Sequence, residues 1–326
     1  MKYYTCSNTS SGFVDFTEDN IFDIKNKVML KGENDCIKSY VLKLFREKTE
    51  ECEEILCAGS RRLTNGLILR EKSTAIVSKC NNSDRIIDLD EYFGVADYKP
   101  EIKLLYERMF NIYSEAKDIH DEWEKIYVEN MDFSRLDNYC DGIIGKIVTT
   151  KSQCGYGKVY KRFFGTSTIE GPANHIDNIT ENIKKRYFIK GRPGTGKSTF
   201  LKKLSAKLRE NGFDVEEYYC SFDKNSLDMV ISRELSFCVF DSTPPHEKFP
   251  QSESDEVLNF YVESGLSGVD EKFERELYLV KSAYDSKIKE SMHFFKKAWQ
   301  MKEESDRRLL TKISESDIRK IAKNIL

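Results

Sequence analysis

Histidine is scarce in this sequence, with four in 326 residues, and the nine cysteines, at 6, 36, 52, 57, 80, 140, 154, 220 and 238, form no CxxC pair. A zinc site or a disulfide framework needs such ligands at closer spacing. Reduced and mostly buried thiols are therefore expected. No run approaches the roughly 18 apolar residues of a membrane span, and the opening MKYYTCSNTSS lacks the basic start and apolar core of a leader. A cytoplasmic protein without a membrane partner is expected. The net charge of -3 provides no general attraction to nucleic acid.

What is present suits a folded protein: 33 % charged residues, 39 % apolar ones, 20 Phe and 17 Tyr. Low-complexity sequence is too sparse for disorder. The length allows two domains at roughly 150 residues each.

An internal repeat organises the chain. Residues 3–39 align without a gap on 162–198, so that Gly12 meets Gly171, Ile24 meets Ile183 and VMLKG meets YFIKG. After a helical region that is longer in the second copy, Cys57 meets Cys220, Arg70 meets Arg233 and TAIV meets FCVF. A repeat of this kind marks tandem units. Each copy continues into a charged segment, at about 100–130 and 271–303. There Ile102, Leu105, Met109, Ile112, Ala116, Ile119, Trp123 and Ile126, and likewise Phe273, Leu277, Val280, Tyr284, Ile288, Phe295 and Ala298, recur at helical spacing. Core or coiled-coil packing is the plain reading of such amphipathic helices, and a partner-binding arm is the alternative. The expected units are 1–145 and 146–326, each with a helical arm.

In the second copy RYFIK reads as a strand before a glycine loop, 198–211 as a helix, DVEEYYCSF as a strand, 226–233 as a short helix and SFCVF as a buried strand ending at Asp241. That alternation predicts an α/β fold with a parallel sheet flanked by helices, a P-loop NTPase-like unit occurring twice.

The loop KGRPGTGKS, 190–198, carries the chemistry. Gly191, Gly194 and Gly196 let backbone amides turn inward at phosphate oxygens, with Arg192, Pro193 and Thr195 between them. Lys197 places a cation at the β and γ phosphates, Ser198 offers a hydroxyl to Mg²⁺, and Thr199 adds a further contact. The pattern arises by chance in about 1 in 100 chains of this length. Asp241, at the end of its strand, is where such proteins hold the magnesium shell, the other reading being a helix cap or buried pair.

The first copy fills the same frame with KGENDCIKS, 31–39. Asp35 stands for Gly194, Ile37 for Gly196, Ser60 for Asp223, Ser78 for Asp241 and Ser83 for His246. A carboxylate and a β-branched side chain there oppose triphosphate binding. The first copy thus reads as a degenerate duplicate that has lost its loop chemistry while retaining Lys38 and Ser39.

No glutamate follows Asp241 directly; the next residues are STPPHE. Asp223, His246 and Glu247 are the candidates for activating water or an acceptor. A helix N-cap for Asp223 and a backbone-bonded loop histidine for His246 are the structural alternatives. The cation that would steady a transferring phosphoryl group is open among Arg192, Arg233, Arg275, Arg307, Arg308, Arg61 and Arg62.

With FIKGRPGTGKST, YYCSFDKNSLDMVI and FDSTPPHEKFP in view, the chain resembles an uncharacterised bacterial family of tandem P-loop ATP-binding proteins, related to ATPases and nucleotide kinases. The resemblance implies ATP binding through 191–199, with Lys197 central to catalysis and Mg²⁺ held by Ser198 and Asp241. The expected function is a magnesium-dependent ATPase acting through the C-terminal site. The alternatives are a small-molecule or nucleotide kinase, and a non-hydrolysing ATP-binding module with a protein partner on its arms. Residues 142–169 interleave Lys146, Lys151, Lys158, Lys161 and Arg162 with Tyr156, Tyr160, Phe163 and Phe164, a pattern that can bind single strands, although a solvated hairpin is the plainer reading.

Overall fold

The structure is a computed structural model describing residues 1–49, 51–152 and 155–325, of which 321–325 as backbone only. Cys154 lies outside the described residues, and the eight described cysteines are free. No helix is long and apolar enough to cross a membrane among them.

The chain opens with β1 (Lys2–Tyr3), the hairpin of β2 (Cys6–Thr9) and β3 (Gly12–Asp15), and α1 (Glu18–Ile21). Next come β4 (Asn26–Lys31), α2 (Asp35–Arg46), β5 (Glu53–Leu56), β6 (Thr64–Leu69), β7 (Thr74–Val77), β8 (Arg85–Asp88) and α3 (Leu89–Phe93). An arm of α4 (Glu101–Val128) and α5 (Phe133–Ile147) follows. The series then repeats as β9 (Val159–Arg162), β10 (Gly165–Thr168), β11 (Gly171–Asn174), α6 (Ile176–Thr180), β12 (Lys185–Lys190), α7 (Lys197–Glu210), β13 (Val215–Tyr219), β14 (Leu227–Ser232), β15 (Phe237–Asp241), β16 (Glu256–Asn259) and α8 (Phe260–Glu263). Last are α9 (Val269–Lys272) and the second arm, α10 (Glu274–Leu310) and α11 (Glu315–Ile325).

Both units build a six-stranded sheet with one order, β1-β5-β6-β7-β4-β8 and β9-β13-β14-β15-β12-β16. Strands β6 and β14 run antiparallel to both neighbours and the others are parallel. The sheets are therefore mixed, and the short helix expected at 226–233 is strand β14. All six of its residues are buried. A short, nearly continuous apolar run has no period that separates helix from strand. Pairing on both edges, with β13 and β15, decides it.

Side-chain alternation along the strands sorts the core into layers. Cys238 and Phe240 of β15 face the other unit, joining Phe188, Tyr218, Met229 and Ile231 to Tyr3, Ile55, Ile68, Ala75 and Val77 in one shared core. Phe237 and Val239 face the opposite way, toward Phe200, Leu201, Leu204 and Leu208 of α7.

Equivalent positions of the two copies meet each other. Tyr4 and Phe163 each donate N–H to the other's carbonyl, at 3.0 and 2.8 Å. Ser7 and Thr166 share a hydroxyl hydrogen bond of 3.1 Å. The Arg162 guanidinium lies 4.1 Å from the centre of the Tyr3 ring. This is the self-complementary contact of a two-fold dimer, made within one chain.

The arms are exchanged between units. Helices α4 and α10 pack antiparallel, with Ile102 and Leu105 against Ala298 and Met109 against Phe295 and Trp299, so the two stripes bury each other. Beyond them, Leu136, Cys140 and Ile143 of α5 enter the core of the second unit, while Ile318 of α11 joins Val41 and Phe45 of α2 in the first. A boundary at 145/146 thus runs through a helix that belongs to the second core.

Within the basic and aromatic stretch 142–169, Lys146, Lys151 and Tyr156 are exposed, but its last part is covered. Arg162, Phe163 and Phe164 are buried, and the cations beside them are neutralised by the first unit: Lys158 by Asp23 at 3.4 Å and Lys161 by Asp19 at 3.2 Å. Strand β9 places these residues at the contact between units.

Arg162 is 2 % exposed and joins a carboxylate from each unit, Glu53 at 3.3 Å and Glu216 at 3.0 Å. Its Nε donates to the Asn20 side chain at 2.7 Å. Replacing Arg162 by Met should destabilise the protein by about 3–5 kcal/mol in urea unfolding, because it strands buried carboxylates. Although burial opposes it, the charge of Arg162, then Arg233, holds the Glu216 carboxyl at about 2 against its usual 4.5. That stabilisation is complete above pH 4.5 and should be lost as pH falls toward 2.

Candidate functional site

Strands β12 and β15 lie side by side, with Ile189 paired to Asp241, so the loop leaving β12 and the carboxylate ending β15 share one sheet edge. Ligands of open α/β sheets bind at the carboxyl ends of such strands. Gly194 and Gly196 are left-handed, with φ of +76° and +74°, a conformation open to glycine at little cost. Helix α7 begins directly after Gly196 without a side-chain cap, so its first amides remain free to meet an anion.

Lys197 bends back onto the loop. Its ammonium donates to the Arg192 carbonyl at 2.8 Å and lies 3.5 Å from the Asp241 carboxylate. Thr195 is buried and donates to the same carbonyl. The Ser198 hydroxyl accepts from the Leu227 amide at 2.8 Å, which aims its own proton elsewhere, and Thr243 donates to Asp241 at 2.7 Å. Thr199 is exposed.

Other expected residues sit further out. Asp223 accepts the Asn225 amide at 2.9 Å and pairs with Lys117 of α4 at 3.5 Å. Glu247 is taken up by Lys190 at 2.7 Å. The His246 ring stands edge-on to Phe164 at 5.0 Å. Burial lowers its pKa, Asp241 opposes that and Lys197 adds to it. Of the arginines, Arg192 binds Asp270 at 2.6 Å, Arg233 binds Glu216, Arg62 binds Glu170, and Arg307 and Arg308 pair within their own helix. Arg61 donates to the Pro172 carbonyl.

The sequence reading missed two contributions. The first is Asp228, which lies on β14 one step beyond the Met229–Phe240 pair and so on the same face as Asp241. Burial pushes its carboxyl well above the usual range, and the charge of Asp241 adds to this. In the first unit the corresponding residues are Asn65 and Ser78, joined by a neutral hydrogen bond of 2.8 Å. Aligning the copies at Asn65 could have revealed this difference.

The second is helix α4 of the first unit, which lies on the loop. A Cβ placed on Gly194 would come 2.8 Å from the Glu124 carbonyl oxygen and 3.0 Å from Val128 Cγ2. Tyr127 donates to Asp270 at 2.9 Å, the same carboxylate that holds Arg192. Nothing local in the sequence joins residue 124 to residue 194.

The first unit has turned the same frame into something else. Helix α2 starts at Asp35, the position of Gly194, so the loop has been absorbed into a helical turn. Asn34 caps that turn by accepting the Ile37 amide at 3.0 Å. Asp35 pairs with Lys38 at 2.8 Å and with Lys302 of α10 at 2.9 Å, and Asn34 donates to the Asp306 carbonyl at 3.3 Å. The degenerate loop is a seat for the second arm. A cavity of about 180 Å³ beside it, lined by Cys36, Ser60, Trp299 and Lys302, lies between arm and loop.

Replacing Gly194 by Ala should lower stability by about 1–3 kcal/mol in urea unfolding, through its positive φ and the nearby Glu124 carbonyl. An alanine at Gly155, where a Cβ meets nothing within 4 Å, should change stability by less than about 1 kcal/mol. Neither a family model, nor a curated protein, nor a solved structure matches the chain, so its function has to be argued from these groups alone.

Proposed function

We propose that the second unit binds ATP with magnesium through 191–199 and hydrolyses it, and that the first unit binds no nucleotide but positions the arms. One contrast supports this reading above the others. Two copies of one frame differ in that the second keeps left-handed glycines and an uncapped helix start beside the half-buried Lys197 and the carboxylates of Asp241 and Asp228. The first has a capped helical turn beside a neutral Asn–Ser pair.

The donor set fits a hard divalent cation, which prefers oxygen ligands. Ser198 and Asp241 would hold it, with Asp228 adjacent, a buried carboxyl whose burden would be eased by a nearby positive charge. When bound, the ion would neutralise charge on the terminal phosphates. The chain's own part is positional. Amides of 194–198 at the start of α7 would cradle the β phosphate, and Lys197 would turn from the Arg192 carbonyl to the γ phosphate.

The base of adenine is part of the proposal that rests on the family resemblance alone. A kinase reading shares this site and differs only in where the γ phosphate goes. Following labelled γ phosphate separates the two: release as inorganic phosphate supports hydrolysis, and transfer to an added nucleoside or nucleotide overturns it.

Titration with ATP and magnesium should give one site per chain. Replacing Lys197 by Ala should weaken binding by at least about tenfold, from loss of a charge-assisted contact, while Lys38→Ala should leave binding unchanged. Equal loss in both variants, or two sites, would refute the assignment of roles to the two units.

A further inference from the structure

The second unit has a loop for phosphate and carboxylates for a cation, yet two of the candidates for water activation carried by that unit are held in ion pairs and the third is packed edge-on to a ring. Glu247 is held by Lys190, Asp223 by Lys117 and the Asn225 amide, and His246 is packed on Phe164. Resting on the reading above, we propose that helix α4 of the first unit supplies the general base for the second unit's site, through the pair His120 and Glu124.

Three ties hold this face of α4 against the site: Glu124 and Val128 over Gly194, Lys117 on Asp223, and Tyr127 on the Asp270 that also binds Arg192. One helical turn separates His120 from Glu124, which puts both on the same side. Nδ1 of His120 is 3.6 Å from the Glu124 carboxylate, and it is shut from solvent with no hydrogen-bond partner. A small side-chain rotation would bring that pair within hydrogen-bond range, and contacts of this kind tighten when a substrate binds. The ring is enclosed by Phe222, Trp123 and Tyr284, with centres 6.1, 6.0 and 5.5 Å away.

The charged groups bearing on His120 come from three elements. On α4 they are Lys117, Asp121 and Glu124, after β13 Asp223, and on α7 Lys197. Burial, then Lys117, lowers its pKa, with Lys197 acting the same way and the two aspartates opposing. The net effect favours the neutral imidazole, the form a base needs. Lys197 also acts on Glu124, so the lysine expected at the γ phosphate is electrostatically linked to both members of the pair. His120, Asp121 and Glu124 also group their ligand atoms within 4.8 Å. Lys117 already binds Asp121 there, which favours proton transfer over cation binding at this cluster.

The step balances as follows. With hydrogen on Nδ1 directed at Glu124, Nε2 takes a proton from water as the water oxygen bonds to the γ phosphorus. The bond from that phosphorus to the bridging oxygen breaks, its electron pair leaves with ADP, and the imidazolium then returns its proton to solvent.

The test compares wild type with His120→Asn and Glu124→Gln in the full chain, measuring phosphate release and affinity for a non-hydrolysable ATP analogue. His120→Asn should lower kcat by about a hundredfold or more with affinity changed by less than about twofold. The acid-side fall of the wild-type pH profile should vanish in its residual rate. Glu124→Gln, which keeps size, should lower kcat and shift the His120 titration followed by NMR. An unchanged kcat in His120→Asn overturns the proposal and leaves nucleotide binding standing, as does Lys197-dependent binding with no phosphate release in wild type. If wild type binds no nucleotide, the underlying reading falls with it. His120→Gln serves in place of His120→Asn should the latter melt early.

Discussion

A single buried guanidinium sets the geometry on which the rest depends. Arg162 touches Glu53 of one unit and Glu216 of the other, and its flat face lies on Tyr3. Tyr3 is the residue that the repeat aligns with Arg162 itself. In a true two-fold dimer identical side chains would meet at that position, and two arginines would repel in a medium that screens poorly. Joining the copies in one chain removes that restriction. One position became a ring and the other a cation, and the pair closes the shared core without stranding a charge.

Once the sheets are fixed face to face, the arms have one way to run. Helix α4 leaves the first unit and crosses to the second, and α10 makes the reverse journey alongside it. Each arm ends in a helix that docks on the opposite unit's core, α5 through Leu136, Cys140 and Ile143 and α11 through Ile318. Pulling the units apart would therefore expose the central interface, the helical seam and both docked ends at once. The exchange also explains the fate of the first loop. Asp35 is unfavourable for phosphate but favourable for Lys302, and Asn34 serves both as a helix cap and as a donor to the arm. Asp35, which stands where the second loop has Gly194, is thus the residue that pairs with α10.

Local signals made much of this legible. The glycine loop, the helix after it, the end of β15 at Asp241 and the amphipathic stripes of both arms follow from periodicity and turn chemistry, and the repeat announced the two sheets. Strand β14 was not legible, because six buried residues in a row carry no alternation. Its misreading hid Asp228, whose neighbour across the ladder is visible only once the strand direction is known. Nor does periodicity say what an amphipathic face covers. The stripe on α4 predicts burial at Met109 and Ala116 equally well whether the partner is its own unit, the other unit or a separate protein. The same limit applied to 158–162, where interleaved cations and rings look like a binding surface until the packing of α1 and the turn after it against β9 places Asp19 and Asp23 beside Lys161 and Lys158.

The exchange carries a consequence for how the candidate site would be governed. The polar face of α4 reaches the second unit's loop only while α4 stays in register with α10, and that register is anchored at the far end by Lys302 on Asp35 and by Tyr98 on Asp306. Lys302 is held in its charged form there: burial works against it, but Asp35 and Asp306 more than offset that. A degenerate loop with a lasting ion pair is a firmer anchor than an intact one, whose glycines and free amides would be exchanged between phosphate and solvent. On the proposed assignment, a first copy without nucleotide and a second copy whose site includes α4 are two results of the same pair of crossing helices.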